Sequence, residues 1–407
     1  MNFADFKLTP TLQDGLSTMG FETPTPIQEQ AIPVIMEGGD LIACAQTGTG
    51  KTAAYLLPIM HRLAEQHVAA NSFKCLIIVP TRELASQIDQ QVEGFGYFCP
   101  ISSISVVGGG DGSLWENQKT ALTDGAEIVI TTPGRMIAHL NLGYVNTSEV
   151  EYLILDEADR MLDMGFYDDI LKIINQLPKE RQTLLFSATM PDKIRQLAKK
   201  ILKNPKQISL AVLKPAEGIT QAAYFVEDRY KTELIKDLLK GKEMENALIF
   251  SSRKIHVKEI ERELRKLGLS VAAMHSDLEQ KEREQTLLDF RNRKIQILVA
   301  TDVISRGIDI AGISLVLNYD VPPDAEDYIH RIGRTARAEQ TGVALTFINH
   351  QDRYKFQRIE KFLGIPVFKI PLPEHLQSHE PELDESASRS GNRDRKFGKN
   401  KKPTRKP

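Results

Sequence analysis

This chain is poor in cysteine and tryptophan, carries almost no net charge, and has no long apolar run. Its three cysteines, Cys44, Cys75 and Cys99, lie in or near apolar stretches and lack metal-ligand spacing. A disulfide framework is thereby excluded, and buried thiols in a reducing compartment are expected. The N-terminus, Met1-Asn2-Phe3-Ala4-Asp5-Phe6, has no basic region followed by a long apolar one, so neither a signal peptide nor a membrane span is expected. The cytosol is the expected compartment, and the basic end of the chain leaves a nucleus open. A formal net charge of −2 gives no bulk attraction to nucleic acid, so any basic surface must be local. The rest is ordinary for a globular protein: 41% hydrophobic and 26% charged residues, over 407 positions that suit two domains plus extras.

One stretch organises the rest: Ala45-Gln46-Thr47-Gly48-Thr49-Gly50-Lys51-Thr52, set between an apolar run at 41–44 and a helix-like run at 53–57. Strand, glycine-rich loop and helix together form the setting of a phosphate-binding loop. Successive backbone N–H groups wrap the phosphates, and the helix N-terminus adds partial positive charge. Lys51 brings a point charge to the β and γ phosphates, and the Thr52 hydroxyl is a natural Mg²⁺ ligand. The generic pattern begins with Gly, a place taken here by Ala45. A nucleoside triphosphate with Mg²⁺ is the expected ligand.

Around this loop, short apolar runs alternate with amphipathic ones. Strands are expected at 41–45, 75–79, 104–107, 127–131, 152–155 and 183–187, with helical patterns at 82–94 and 192–202. Near-continuous apolar strands alternating with helices predict a parallel sheet covered on both faces, with ligands at the strand carboxyl ends. Pro205, Pro215 and Gly218 interrupt the rhythm. It restarts with strands at 247–251, 270–274, 295–300, 314–318 and 342–348 and helices at 254–267 and 280–290. This second α/β domain has no phosphate loop of its own. After about His375 the apolar pattern stops; an acidic patch (Glu380, Glu382, Asp384, Glu385) is followed by a Lys/Arg/Gly/Asn-rich end that cannot bury a core and is expected to be disordered.

The apolar run Tyr152-Leu153-Ile154-Leu155 leads into Asp156-Glu157-Ala158-Asp159. An acidic pair ending a buried strand is the second half of a P-loop NTPase site. Asp156 can hold Mg²⁺, directly or through water, and Glu157 can orient and activate the attacking water.

With these residues the chain resembles a DEAD-box ATP-dependent RNA helicase, over about residues 3–373 and with the family's motifs in order. The resemblance implies two tandem RecA-like parallel-sheet domains joined by a short linker, with a disordered basic tail. The boundaries expected are a lead segment 1–29, a first domain 30–208, a linker 209–218, a second domain 219–375 and a tail 376–407. It implies ATP and Mg²⁺ as ligands, through Gln46, Thr47, Gly48, Thr49 and Gly50 besides Ala45, Lys51 and Thr52. Gln28, in Pro24-Thr25-Pro26-Ile27-Gln28, would read adenine, with Phe3 or the nearby Phe6 stacking on its ring. Ser187-Ala188-Thr189 would couple nucleotide state to strand separation, together with Asp159 and His330. In His330-Arg331-Ile332-Gly333-Arg334-Thr335-Ala336-Arg337, Arg334 and Arg337 lie one helical turn apart and would act as arginine fingers. Ala336 replaces the family's usual Gly. Asp309, with Gly307, would hold the ribose.

RNA is the implied partner, gripped by phosphate and sugar without base reading. The contacts implied are Pro80, Thr81, Arg82, Gly109, Gly110, Thr132, Pro133, Gly134 and Arg135 from the first domain. From the second they are Ser252, Arg253, Arg283, Thr301 and Asp302. His275-Ser276-Asp277 departs from the more usual His-Gly-Asp. The expected activity is RNA-stimulated ATP hydrolysis coupled to local unwinding of short duplexes or remodelling of RNA–protein complexes, in ribosome assembly or RNA decay. A nucleotide-gated RNA clamp with little unwinding is the alternative; a DNA helicase of the same superfamily is disfavoured by Gln28 together with residues 156–159. The basic tail resembles those of small bacterial RhlE-type helicases, where it would add salt-dependent affinity; a merely solubilising tail is the other reading.

Overall fold

The computed structural model describes residues 1–45, 48–64, 72–109, 112–210, 218–241, 246–301, 313–335 and 341–379. The expected linker at 209–218 falls mostly outside them, as does the basic tail from 380 onward.

The first lobe is built on β1 (Leu41–Cys44), β2 (Cys75–Ile78), β3 (Ser103–Val106), β4 (Ile128–Thr131), β5 (Tyr152–Leu155), β6 (Gln182–Ser187) and β7 (Lys206–Ser209). They form one sheet in the order β3-β4-β2-β5-β6-β1-β7, every pair parallel. Strand residues alternate between the faces. Leu41, Ala43, Ile77, Ile154 and Leu184 enter one core, and Ile42, Leu76, Leu153, Leu155 and Leu185 enter the other. Burial on both faces is why these strands read as unbroken apolar runs. Each fully buried Leu or Ile contributes about 2 kcal/mol, so the cores hold the strand ends in fixed register.

The second lobe repeats the plan with β8 (Ile219–Phe225), β9 (Ala247–Phe250), β10 (Val271–Met274), β11 (Ile297–Ala300), β12 (Leu315–Asn318), β13 (Gly342–Ile348) and β14 (Phe368–Lys369). Its order is β10-β11-β9-β12-β13-β8-β14, again parallel throughout. Ala247, Ile249, Ile297 and Val299 face one core while Leu248, Phe250, Leu298 and Ala300 face the other.

Three strands escaped the sequence reading. β7 and β14 lie on sheet edges and bury little, and β8 carries Thr220 and Gln221 next to the Gly218 break. Order also persists beyond the expected end of the second domain: Leu376 is buried in its core, and His375 Nε2 lies 2.8 Å from Asp237 Oδ2. Among the cysteines, Cys75 and Cys99 are buried as expected, but Cys44 is only half-buried, because it ends β1 where the phosphate loop begins. Among the described residues, no helix is long and apolar enough to cross a membrane.

Candidate nucleotide site and nucleic-acid interface

β5, β6 and β1 are neighbours, so their carboxyl ends bring three loops together. Ala45 N–H donates to the Ser187 carbonyl at 3.1 Å, which ties the start of the phosphate loop to the end of β6. Gly48 and Gly50 have φ of 81° and 87°, a region that disfavours side chains. A Cβ at Gly50 would also run into the Gln28 amide. The helix Lys51–Leu63 starts where the loop ends. Lys51 is buried, and its ammonium has no hydrogen-bond partner among the described residues. Gln46 and Thr47 lie outside the described residues.

The lead segment is locked onto this loop. Thr25 Oγ1 donates to the Thr49 carbonyl at 2.7 Å, and Gln28 Nε2 donates to the Gly50 carbonyl at 3.1 Å. Gln28 Oε1 accepts from Thr25 N–H at 2.8 Å. Gln28 is thus buried against the loop rather than projecting from it. Phe3 and Phe6 are buried too, with Phe3 edge-on to both Phe6 and Phe21.

The acidic turn is held from several sides. Asp156 Oδ2 accepts from the Tyr55 hydroxyl at 3.0 Å and Oδ1 from Glu157 N–H at 2.8 Å. Burial pushes the Asp156 carboxyl up while Lys51 pulls it back. Glu157 adopts a left-handed backbone with φ 51°. Burial raises its carboxyl to about 6, against the opposing pull of Lys51 and Arg334. Its Oε2 has no hydrogen-bond partner among the described residues. Two buried and opposite charges, each short of hydrogen bonds, describe a site that fits a polar ligand between them. Asp159 Oδ2 collects Ala188 N–H (3.2 Å), Thr189 N–H (3.0 Å) and the Thr189 hydroxyl (3.0 Å), and Asp159 N–H donates to Ser187 Oγ at 3.3 Å. These bonds tie the loop after β5 to the loop after β6.

From the second lobe comes Arg334. It is buried, its Nε donates to the His330 carbonyl at 3.1 Å, and its positive charge is a small downward influence on the Glu157 carboxyl, well behind that of Lys51. Arg331 is different: fully buried, it bonds Asn318 Oδ1 and the Asp320 carbonyl at 3.3 and 3.0 Å and braces its own lobe. Arg337, Gly307, Asp309, Asp302 and Gly110 lie outside the described residues.

The remaining candidates follow strand ends in the two lobes, except Arg283, which lies on the helix Gln280–Arg291. After β2, Thr81 caps the helix Arg82–Phe95, and the Arg82 guanidinium lies against Gly108 and Gly109, where a Cβ at Gly109 would collide with it. Pro80 precedes this cap. Thr132 and Pro133 open the helix Pro133–Asn141. A Cβ at Gly134 would meet nothing within 4 Å, so the protein's own packing does not demand glycine there. Arg135 Nε donates to Gln118 Oε1 at 2.7 Å. In the second lobe, Asp320 Oδ2 accepts from Ser251 Oγ and Ser252 N–H, both at 2.8 Å, which sets the turn before Arg253. Thr301 follows β11 with a buried hydroxyl lacking a partner among the described residues. Arg283 Nη2 donates to the Ser276 carbonyl at 3.0 Å, and its Nη1 lies 3.7 Å from Glu83 Oε1 of the first lobe.

Comparison with known proteins identifies the family. Residues 25–197 match the DEAD/DEAH box helicase family, and 230–339 match the helicase conserved C-terminal domain. The chain is 42% identical over 361 residues to the ATP-dependent RNA helicase CshA of Listeria monocytogenes, covering 88% of this chain and 68% of that one. The chain belongs to the DEAD-box RNA helicase family. To the ATP-dependent RNA helicase DeaD of Haemophilus influenzae it is 40% identical over 379 residues, covering 92% of this chain but spanning only 61% of the length of that relative. Its fold superposes on S. cerevisiae Dbp5 bound to RNA and ADP BeF3 with a TM-score of 0.82 and 31% identity, covering 90% of this chain and 95% of that one.

Several residues that shape this DEAD-box site went unassigned in the sequence. Tyr55 was readable, since it lies one turn beyond Lys51 and Thr52 on the same helix. Glu83 stands inside the run Pro80-Thr81-Arg82-Glu83-Leu84, which the resemblance marks as an RNA segment without giving the carboxylate a role of its own, while Gln118 and Asp320 carry no local signal. Their partners come from distant parts of the chain.

Proposed function

We propose that this chain is an ATP-dependent RNA helicase, in which RNA-stimulated ATP hydrolysis drives local separation of short duplexes. The observation that carries this reading is the pair of buried, oppositely charged side chains Lys51 and Glu157 at the carboxyl ends of β1 and β5, each with a polar atom lacking a partner among the described residues. ATP is the proposed substrate. Lys51 and the loop amides bind its phosphates. Gln28 and Phe3 are assigned to adenine, and Gly307 and Asp309 to the ribose. Thr52 and Asp156 are the residues that would hold Mg²⁺, whose charge neutralises phosphate oxygens when it is bound. Such an ion takes few protein ligands, which suits this donor set.

Glu157 has its carboxyl raised by burial and one oxygen without a partner among the described residues, so it is fitted to orient water and take its proton. Arg334, together with Arg337, offsets the charge that builds on the transferring phosphoryl group. The unit formed by Asp159, Ser187, Ala188 and Thr189 transmits closure to the RNA side. There Thr81, Arg82, Gly109, Gly134 and Arg135 face Ser252, Arg253, Arg283 and Thr301 to hold one strand by its backbone. The proposed division of labour puts residues 30–208 and 219–375 in separate lobes about a linker at 209–218, in a cytoplasmic protein.

ATP turnover by the purified chain, with and without RNA, tests this reading alongside displacement of a strand from a short RNA duplex. Turnover rising with RNA and displacement requiring ATP are expected. Turnover indifferent to RNA would overturn it.

A further inference from the structure

The only tryptophan of the chain lies beside the proposed RNA groove, in a cluster that no motif announces. Trp115 and Gln118 are on the helix Gly112–Asp124; Arg135 and His139 are on the helix Pro133–Asn141. The Arg135 Cζ lies 4.1 Å from the centre of the indole. The His139 ring stacks on Trp115 with centroids 4.0 Å apart and planes inclined by 11°. Gln118 is fully buried and spends its whole amide. Its Nε2 donates to the carbonyls of Ser105 (3.3 Å) and Val107 (2.9 Å), just ahead of Gly108 and Gly109. Its Oε1 accepts from Arg135 Nε at 2.7 Å and faces His139 Nε2 at 3.2 Å.

The two backbone carbonyls fix which way the amide points, so Oε1 must be the acceptor. His139 therefore carries its proton on Nε2, and its Nδ1 accepts from the Tyr144 hydroxyl. Burial, with Arg135 beside it, draws the imidazole down to about 4, so it stays neutral and does not repel the guanidinium. One side chain thus joins the loop after β3 to the helix that carries Arg135.

We propose that Trp115 and Gln118 are positioning residues that set the Arg135 guanidinium for an RNA phosphate, the indole covering its face and the amide holding its Nε. The Nη groups are the part of the fork that Gln118 does not engage. A guanidinium held in one orientation loses less freedom on gripping a phosphate, so the benefit appears as tighter RNA binding. Ring face and cation at this distance attract by an amount that, lost on truncation, weakens binding about fivefold. The inference rests on Arg135 being an RNA contact.

The test uses the full chain, with polyuridylate as the RNA. Trp115→Ala should raise the KM for polyuridylate in the ATPase assay about fivefold while kcat changes less. Trp115→Leu, which keeps apolar bulk without a π face, should do the same and carries the test if the alanine variant melts early. Trp115→Phe should recover most of the loss. In an Arg135→Ala background, Trp115→Ala should add nothing, because its effect passes through the arginine. Polyuridylate should also alter the emission of this lone indole. If Arg135→Ala raises KM but neither Trp115→Ala nor Trp115→Leu does, or if the two effects multiply, the positioning role is overturned and the helicase reading stands. If polyuridylate fails to stimulate even the parent chain, both fall together.

Discussion

Glu83 and Arg283 face each other across the two lobes, Oε1 to Nη1 at 3.7 Å, with both side chains largely withdrawn from solvent. Glu83 follows Arg82, and Arg283 is itself a proposed RNA contact. The pair therefore joins the lobes on the same side of the cleft that is proposed to hold RNA. Replacing either residue by Ala should raise the KM for RNA about threefold to tenfold, as expected for a partly desolvated pair spanning an interface. The double variant should be no worse than the worse single one. A double-mutant cycle read in the ATPase assay checks this; fully multiplicative effects would show that the two residues act separately.

Lys51→Ala should abolish turnover because it empties the one cationic side chain of the phosphate loop. Glu157→Gln should lower kcat by about 10²-fold to 10⁴-fold while sparing ATP affinity, since the amide keeps the shape but cannot take a proton. Arg334→Ala should lower kcat by about 10³-fold or more. Equilibrium dialysis of ATP beside steady-state turnover separates binding from chemistry for all three.

Tyr55→Phe removes the hydroxyl that donates to Asp156 Oδ2 at 3.0 Å and leaves the ring packed on Phe186. The carboxylate then loses one of its two anchors. Turnover should demand a higher Mg²⁺ concentration, by about threefold to tenfold, as when an outer partner of a metal-binding carboxylate is lost. A Mg²⁺ titration of ATPase activity measures it, and an unshifted curve would remove Tyr55 from the site.

His139 offers a pH test of folding. Its native value of about 4 lies below the usual 6.5, so the folded state binds fewer protons there than the unfolded one. Stability from this group is complete above pH 6.5 and falls as pH drops toward 4. Thermal melts over that interval should fall less steeply for His139→Gln, which can still donate to Gln118 and accept from Tyr144, than for the parent.

The parallel strands and the nucleotide loops were legible because their signals are local. Strands buried on both faces, such as Leu76–Ile78 within β2, announce themselves by composition alone, and Gly48, Gly50 and Lys51 mark a loop whose chemistry is contiguous. β8 stayed hidden because three of its seven residues bury fully while Thr220 and Gln221 dilute the pattern. Gln118 could not be found either: a lone glutamine on an amphipathic helix is indistinguishable from a surface residue until Ser105, Val107 and Arg135 close around it. The resemblance singles out Arg334 from the run 330–337, but nothing in the sequence tells that Arg331 braces its own lobe, which rests on Asn318 and Asp320.

The left-handed backbone of Glu157, φ 51°, carries a conflict between durability and work. A residue with a side chain is strained there by about 1–3 kcal/mol, and glycine is not. Glu157→Gly should therefore yield a protein that survives heating better than its parent and hydrolyses nothing. Breeding this chain for heat tolerance alone would favour inactive descendants at that position, so such a screen has to reward turnover as well.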